Sequence, residues 1–277
     1  MKAITRQINE NLSCSYTAGE ISALTRIIAT ELLGVSQMAF YLKDDITLTA
    51  EQQTLFDNAI ERLKKQEPIQ YILGYSDFCG LRFKVTPATL IPRPETSELV
   101  EWIVSEFTGN GNILDIGTGS GCIAVSLAHK LPQSKVTAWD ISPDALTVAT
   151  ENSKANGCAV EFEEVDIFTY KSTGKQFDII VSNPPYIKEN EKAAMHSNVL
   201  NWEPHTALFV PDSDPLLFYR TIAKKGLALL KPGGKLYFEI NRAHGKETIE
   251  MLESLGYTSI ELRKDFAEND RMIRAVK

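Results

Sequence analysis

Asn183-Pro184-Pro185-Tyr186 puts a side-chain amide, a stiffened backbone and a phenol ring within four residues. The residue before each proline is pushed out of the helical region. The two rings also stop any strand that leads into them. Together they set where the Asn183 side chain and the Pro184 carbonyl point. Both offer acceptor oxygens, and Tyr186 offers a flat ring. Two acceptors and a ring suit a planar –NH2 group, either a side-chain amide or the exocyclic amine of a base. A proline-rich exit loop with no chemistry is the competing reading of the same residues.

A second cluster is Asp115-Ile116-Gly117-Thr118-Gly119-Ser120-Gly121. Glycines let backbone N–H groups come close to a ligand. The spacing is not the dinucleotide fingerprint, which needs G-x-G-x-x-G; position 122 is cysteine. No Gly-Lys-Ser/Thr follows, so it is not a phosphate-binding Walker loop either. A tight strand-to-helix turn is the plain alternative. About 20 residues on, Asp140 follows an apolar strand, where a carboxylate holds a ribose diol. Ser142-Pro143 already supplies a helix cap and a first-turn proline. That predicts an Asp140 side chain free for a ligand. Asp166-Ile167 closes a third strand, where an acid beside an apolar residue can read an adenine amine and cover its ring. Asp166 reads equally well as a solvated loop acid.

The elements that must carry these residues follow from periodicity. The apolar run at 177–181 reads as a buried parallel strand, and further strands are expected at 112–116, 135–139 and 160–165. The intervening helical stretches make a βα alternation from about Thr96. A helix is expected over 98–107, and another from Asp214-Pro215 to Leu230. Lys231-Pro232-Gly233-Gly234 is expected to turn into a strand over 235–240. A helix over 246–255 and strands at 258–262 and 272–276 close the chain. Before this region, Phe78, Leu81, Phe83 and Val85 around Gly80 predict a β-hairpin. Pro87 to Pro94 is a stiff connector whose Leu90, Ile91 and Arg93 suggest packing across the site. The stretch to Leu73 predicts helices only. Ile21, Leu24, Ile27, Ile28 and Leu32 form one stripe, Thr49 and Gln52 a capping box, and Pro68 an end. This head is either a stabilising cap or a platform for a macromolecular substrate. The segment 188–201 shows no regular pattern and suits a mobile substrate loop.

Composition narrows the classes. The chain has 277 residues, 43% hydrophobic and 23% charged, with a formal charge of -7. That balance argues against broad, salt-driven nucleic-acid binding. No apolar run is long enough to span a membrane, and Met1 to Ser13 lacks the apolar core of a signal peptide. Four scattered cysteines and four histidines show no ligand spacing, so no metal and no disulfide framework are expected. His129 and His244 are expected near helix termini. Reduced thiols suit the cytoplasm.

The glycine loop, Asp140 and Asn183–Tyr186 together resemble class I S-adenosylmethionine-dependent methyltransferases. Further stretches narrow the resemblance: Glu67 to Gly74, Pro87 to Pro94, Trp202 to Leu208 and Asp265 to Arg271. With these the chain is similar to the peptide chain release factor glutamine methyltransferases, the HemK/PrmC family. That resemblance implies an α/β fold: a Rossmann-like seven-stranded sheet whose last hairpin is antiparallel. It implies a helical bundle over 1–74 for substrate recognition, a hairpin and connector over 75–94, and the methyltransferase domain over 95–277. The implied substrate is the glutamine of the Gly-Gly-Gln loop of class I release factors, acted on by a monomer with no nucleic-acid or membrane partner. The implied cofactor is S-adenosylmethionine, with S-adenosylhomocysteine as product. Gly117, Thr118, Gly119, Ser120 and Gly121 would line its methionine part, Asp140 its ribose, and Asp166 and Ile167 its adenine. Asn183 would touch both cofactor and substrate. Pro184 would join it on the glutamine amide and Tyr186 would pack on the amide plane, with Pro185, Arg93 and Glu203 completing the substrate side.

The chemistry fits that implication. An amide nitrogen is a poor nucleophile because its lone pair is delocalised into the carbonyl. No His, Lys or Cys is placed to act as a strong base. Two acceptors gripping the N–H protons would orient the amide and build negative charge on nitrogen. A DNA adenine methyltransferase would use the same acceptors. It would also need base flipping and a basic channel, which the acidic balance disfavours. A cofactor-binding module without activity is the remaining reading.

Overall fold

A computed structural model describes residues 1–42, 46–171 and 174–277. Within them the chain forms two compact units. One comprises Met1–Gly74 with His196–Trp202, and the other Tyr75–Met195 with Glu203–Lys277.

The first unit is helical, over Lys2–Leu12, Ala18–Ile27, Gln37–Leu42, Ala50–Lys64 and Ile69–Leu73. Thr17 with Glu20, and Thr49 with Gln52, close reciprocal capping boxes, so both long helices start where their side chains satisfy free backbone N–H groups. Ile8, Leu12, Ile28, Phe56 and Leu63 meet in its core. The expected stripe breaks at its end: a π-helical turn over Ile28–Leu32 adds a residue to the turn. Leu33 is then fully in the core, and Leu32 packs against it only partly buried. Pro68 ends nothing; it caps the short helix Ile69–Leu73, because its fixed φ suits a helix start.

The second unit is built on a seven-stranded sheet. Its strands are β1 (Asn112–Ile116), β2 (Lys135–Asp140), β3 (Val160–Glu164), β4 (Phe177–Ser182), β5 (Leu230–Glu239), β6 (Thr258–Lys264) and β7 (Asp270–Val276). The order across the sheet is β6-β7-β5-β4-β1-β2-β3. The contacts among β1 to β5 are parallel, and β7 runs antiparallel to both its neighbours. Alternate residues face opposite layers. Leu114 and Ile180 pack with Tyr219, Ile222 and Leu252, whereas Ile113 and Ile179 pack with Leu99, Ile103 and Val125. The hairpin Tyr75–Phe78 and Leu81–Lys84 adds Phe78 and Phe83 to that second layer.

Three boundaries differ from the sequence pattern. The first helix of this unit begins at Pro94, not Glu98, because proline is favoured at the first helical position. Leu217–Leu229 starts late; Asp214 is held in a turn by a two-pronged bond to Arg220. β5 already starts at Leu230, opposite Phe177, and passes through Pro232-Gly233-Gly234 with a bulge in the pairing. Residues 188–201 carry short regular elements, a 3-10 stretch Glu189–Ala194 and a helical turn Ser197–Leu200. His129 lies in the last turn of Cys122–Lys130, and His244 caps Gly245–Ser254.

Candidate active site

The chain runs from β1 outwards to β3, then returns to lay β4 on the other side of β1. Ligands of open α/β sheets bind where the order reverses, at the carboxyl ends of the strands. A cavity of about 390 Å³ lies there, within the usual range for a small-molecule site. Its walls are the turns after β1 to β4, with Ala88–Arg93, Thr96, Pro204, Thr206, Ala207 and Phe209 around them.

The turn after β1 lines the cavity and is held by backbone bonds to the end of β2. Gly117 and Thr118 N–H groups both donate to the Trp139 carbonyl, at 2.8 and 3.0 Å. A Cβ at Gly117 or Gly119 would meet no protein atom within 4 Å, so a side chain at either would stand in the cavity's space. Gly121 is constrained differently: a Cβ there would lie 3.0 Å from that of Ala149. The Ser120 carbonyl accepts from Asn152 Nδ2 at 2.8 Å, while its buried hydroxyl has no partner.

Two carboxylates sit beneath this turn. Asp115 is buried; Oδ2 accepts from the Thr118 hydroxyl at 2.6 Å and Oδ1 has no partner. Burial pushes its pKa up to about 7, against the Thr118 hydrogen bond and with help from the charge of Asp140. Asp140 lines the cavity, and it is not free. Its Oδ2 accepts from Gly119 N–H at 2.8 Å and its Oδ1 from Ser142 N–H at 3.0 Å. The Ser142 hydroxyl caps the following helix by accepting from Ala145 N–H. That leaves the other lone pairs of each Asp140 oxygen open. Burial raises the Asp140 pKa, against those backbone bonds. Asp166 also lines the cavity, yet its carboxylate braces its own turn, accepting from Phe168 N–H and the Thr169 hydroxyl. Ile167, Ile141 and Phe168 are the apolar residues beside it. Ile141 and Phe168 are exposed, an apolar slot that strand-end reasoning did not find.

At the β4 end, Asn183, Pro184 and Pro185 line the cavity. Asn183 Nδ2 lies 3.4 Å from Thr96 Oγ1, and its Oδ1 has no hydrogen-bond partner among the described residues. Tyr186 is not among the lining residues. Its hydroxyl donates to Glu239 Oε1 at 3.2 Å and its carbonyl accepts from Asn241 Nδ2 at 3.1 Å. Burial, with the Glu239 charge, raises its pKa. Glu203 is likewise outside the lining set, with a side chain only 1% exposed. It grips the connector, taking Arg93 Nη2 at 2.6 Å and Ile91 N–H at 3.1 Å. Arg93 lines the cavity and is its one Lys, Arg or His side chain among the described residues. Glu239 and Thr96 were missed in the sequence; an acid ending the apolar run Leu236–Phe238 was the available signal.

This sheet order, with a glycine turn after β1 and an acid after β2, defines a Rossmann-like methyltransferase domain. Residues 95–202 match the family model "Methyltransferase small domain", and residues 6–74 the model "PrmC N-terminal domain". Two solved structures share the fold. A methyltransferase from Pyrococcus furiosus has a TM-score of 0.54 at 19% identity, covering 80% of this chain and 98% of that one. A 16S rRNA N2 G1207 methyltransferase from Thermus thermophilus, in complex with AdoMet and guanosine, has a TM-score of 0.52 at 17% identity, covering 73% and 49%. Curated relatives narrow the family. A release factor glutamine methyltransferase from Bacteroides thetaiotaomicron is 50% identical over 99% of both chains. One of the same description from Flavobacterium psychrophilum is 45% identical over 99% and 98%. The chain belongs to the release factor glutamine methyltransferase family.

Proposed function

We propose that this protein transfers a methyl group from S-adenosylmethionine to the side-chain amide nitrogen of the glutamine in the Gly-Gly-Gln loop of class I peptide chain release factors. The observation that carries this reading is the unpartnered Asn183 Oδ1 at the end of β4, beside a cavity rimmed by carboxylates. When bound, S-adenosylmethionine supplies an electrophilic methyl group on a sulfonium, next to an ammonium. The residues present suit it. Asp140 and Asp166 line the cavity, Asp115 lies beneath it with an orphaned oxygen, and Arg93 is already neutralised by Glu203. A cationic ligand is favoured where acids outnumber free cations. In this reading Asp140 accepts from the ribose hydroxyls with its open lone pairs. Ile141, Ile167 and Phe168 flank the adenine, and the Gly117–Gly121 turn offers room for the methionine part.

Asn183 Oδ1 and the Pro184 carbonyl accept the two N–H protons of the glutamine amide. Both are neutral and rigidly held, so they orient the nitrogen without adding a charge next to the sulfonium. Their preorganised dipoles favour the positive charge that would gather on nitrogen as the C–N bond forms and the sulfur–methyl bond breaks to leave a neutral thioether, and one N–H proton would then pass to water. Tyr186, pinned by Glu239 and Asn241, stiffens the turn. Pro185 and Arg93 shape the substrate side, and Glu203 fixes Arg93. The helical unit is a platform for the release factor, and the protein acts as a cytoplasmic monomer without a nucleic-acid partner.

The test is methyl transfer from labelled S-adenosylmethionine to a purified class I release factor, to the same factor with its Gly-Gly-Gln glutamine replaced by alanine, and to duplex DNA. Label should enter only the first. Robust incorporation into DNA with none into release factor would overturn the reading.

A further inference from the structure

Behind the tetrapeptide lies a buried carboxylate that the reaction itself does not use. Glu239 ends β5, one strand from β4, and is 2% exposed. Its two oxygens go to different parts of the site. Oε2 accepts from the Thr96 hydroxyl at 2.6 Å, and Oε1 from the Tyr186 hydroxyl at 3.2 Å. Thr96 is itself buried, in the first turn of Pro94–Glu106, and its oxygen faces Asn183 Nδ2.

A hydroxyl carries one hydrogen. Thr96 gives its hydrogen to Glu239, so only lone pairs remain for Asn183. Lone pairs attract the –NH2 end of an amide and repel the oxygen end. The two ends of an asparagine amide have nearly the same shape, so packing alone hardly distinguishes them. The hydrogen count does. We propose that Glu239, acting through Thr96, is the positioning residue that sets the amide orientation of Asn183, so that its oxygen rather than its –NH2 is presented to the methyl-accepting amide. This rests on the methyl-transfer reading above and adds a specificity device to it. In the reverse orientation Asn183 would offer donors to a group that is itself a donor.

Glu239→Gln tests the polarity with almost no change in shape. The buried Tyr186 hydroxyl still needs an acceptor, so the new carbonyl oxygen stays opposite it and the new –NH2 falls on Thr96. Thr96 then accepts from Gln and turns its own hydrogen towards Asn183, which reverses. The expected result is a fall of about 10² in the single-turnover rate of release-factor methylation, with cofactor affinity within threefold of wild type. Thr96→Val should fall by roughly 10- to 100-fold, and Thr96→Ser should stay within about threefold because the hydroxyl is kept. A positioning role predicts strong non-additivity. The double variant Thr96→Val, Asn183→Ala should be no slower than about threefold below Asn183→Ala alone. Multiplicative losses, or Thr96→Val at wild-type rate, would overturn the proposal.

A second readout does not depend on catalysis. In wild type the Asn183 side-chain amide protons should show a nuclear Overhauser contact to the Thr96 methyl group, and Glu239→Gln should lose it. A wild-type protein that fails to methylate release factor refutes the functional reading. The Overhauser contact still decides the relay.

Discussion

The two ends of the cavity both present acceptor oxygens, and they do so with opposite electrostatics. Under the β1 and β2 turns the acceptor is a carboxylate, the half-buried Asp140, with the buried Asp115 beneath it, and both have raised pKa values. At the end of β4 it is the neutral amide oxygen of Asn183, with a buried carboxylate, Glu239, held back behind Thr96. Charge suits a permanent cation that must be bound. A neutral dipole suits an uncharged amide that must be aligned and then released. On the proposed reading the difference separates binding from chemistry along one cavity, so that each end should fail in its own way when altered.

The largest expected effect is at the neutral end. Asn183→Ala should lower the methyl-transfer rate constant by roughly 10²–10³ while calorimetric titration shows cofactor binding retained. A rate within a few-fold of wild type would reduce the tetrapeptide to a stiff turn. Asn183→Asp erases the contrast between the ends by placing a charge where the structure keeps none. It should also be slow, with cofactor bound at least as tightly, because added ground-state attraction does not lower the barrier.

At the charged end the failure should be in affinity. Asp140→Ala removes both its open lone pairs and the anchor on Gly119 and Ser142. We expect cofactor affinity to fall by roughly 10- to 100-fold, with the rate at saturating cofactor changed much less. Equal losses in both quantities would mean that the two ends do not act separately.

The connector gives a third comparison, since Glu203 serves structure rather than chemistry. Glu203→Ala leaves Arg93 and the Ile91 N–H without their buried acceptor. It should cost about 3 kcal/mol, or roughly 5–10 °C in Tm, read by thermal denaturation.

The smallest effect is in pH dependence. Asp115 in the folded state has a pKa near 7, above the ordinary aspartate value, so between about pH 4 and 7 the folded protein binds the extra proton. Its contribution to stability is therefore full at the low end of that window and is lost as pH rises through 7. The ligand-free protein should melt several degrees lower at pH 7.5 than at pH 5.5. Asp115→Asn should flatten that slope. A slope unchanged in the variant would assign it to other buried acids, Glu239 among them.

The sequence by itself determined the sheet and most of its cavity. β1, β2 and β4 were legible because buried parallel strands are rich in apolar residues, and the glycines, Asp140 and Asn183 stand at or just beyond their carboxyl ends. Local rules also located the capping box of Thr49 with Gln52 and the turn at Gly80, whereas the box of Thr17 with Glu20 was missed. What failed locally did so for nameable reasons. The π turn at Ile28–Leu32 and the bulge in β5 insert residues that no fixed period anticipates. Asp140 was expected free because Ser142 caps the helix. It is engaged because the glycine turn, 21 residues earlier, folds back onto it.

Only the tertiary structure decided which side chains reach the cavity and which stand behind it. Tyr186 and Glu203 are close in sequence to lining residues yet turn to other partners. Thr96 lies 87 residues from Asn183, and Glu239 lies 143 from Thr96. A hydrogen-bond chain among buried groups depends on where each proton goes. That is settled by neighbours brought together across the sheet, and no local pattern of residue types records it.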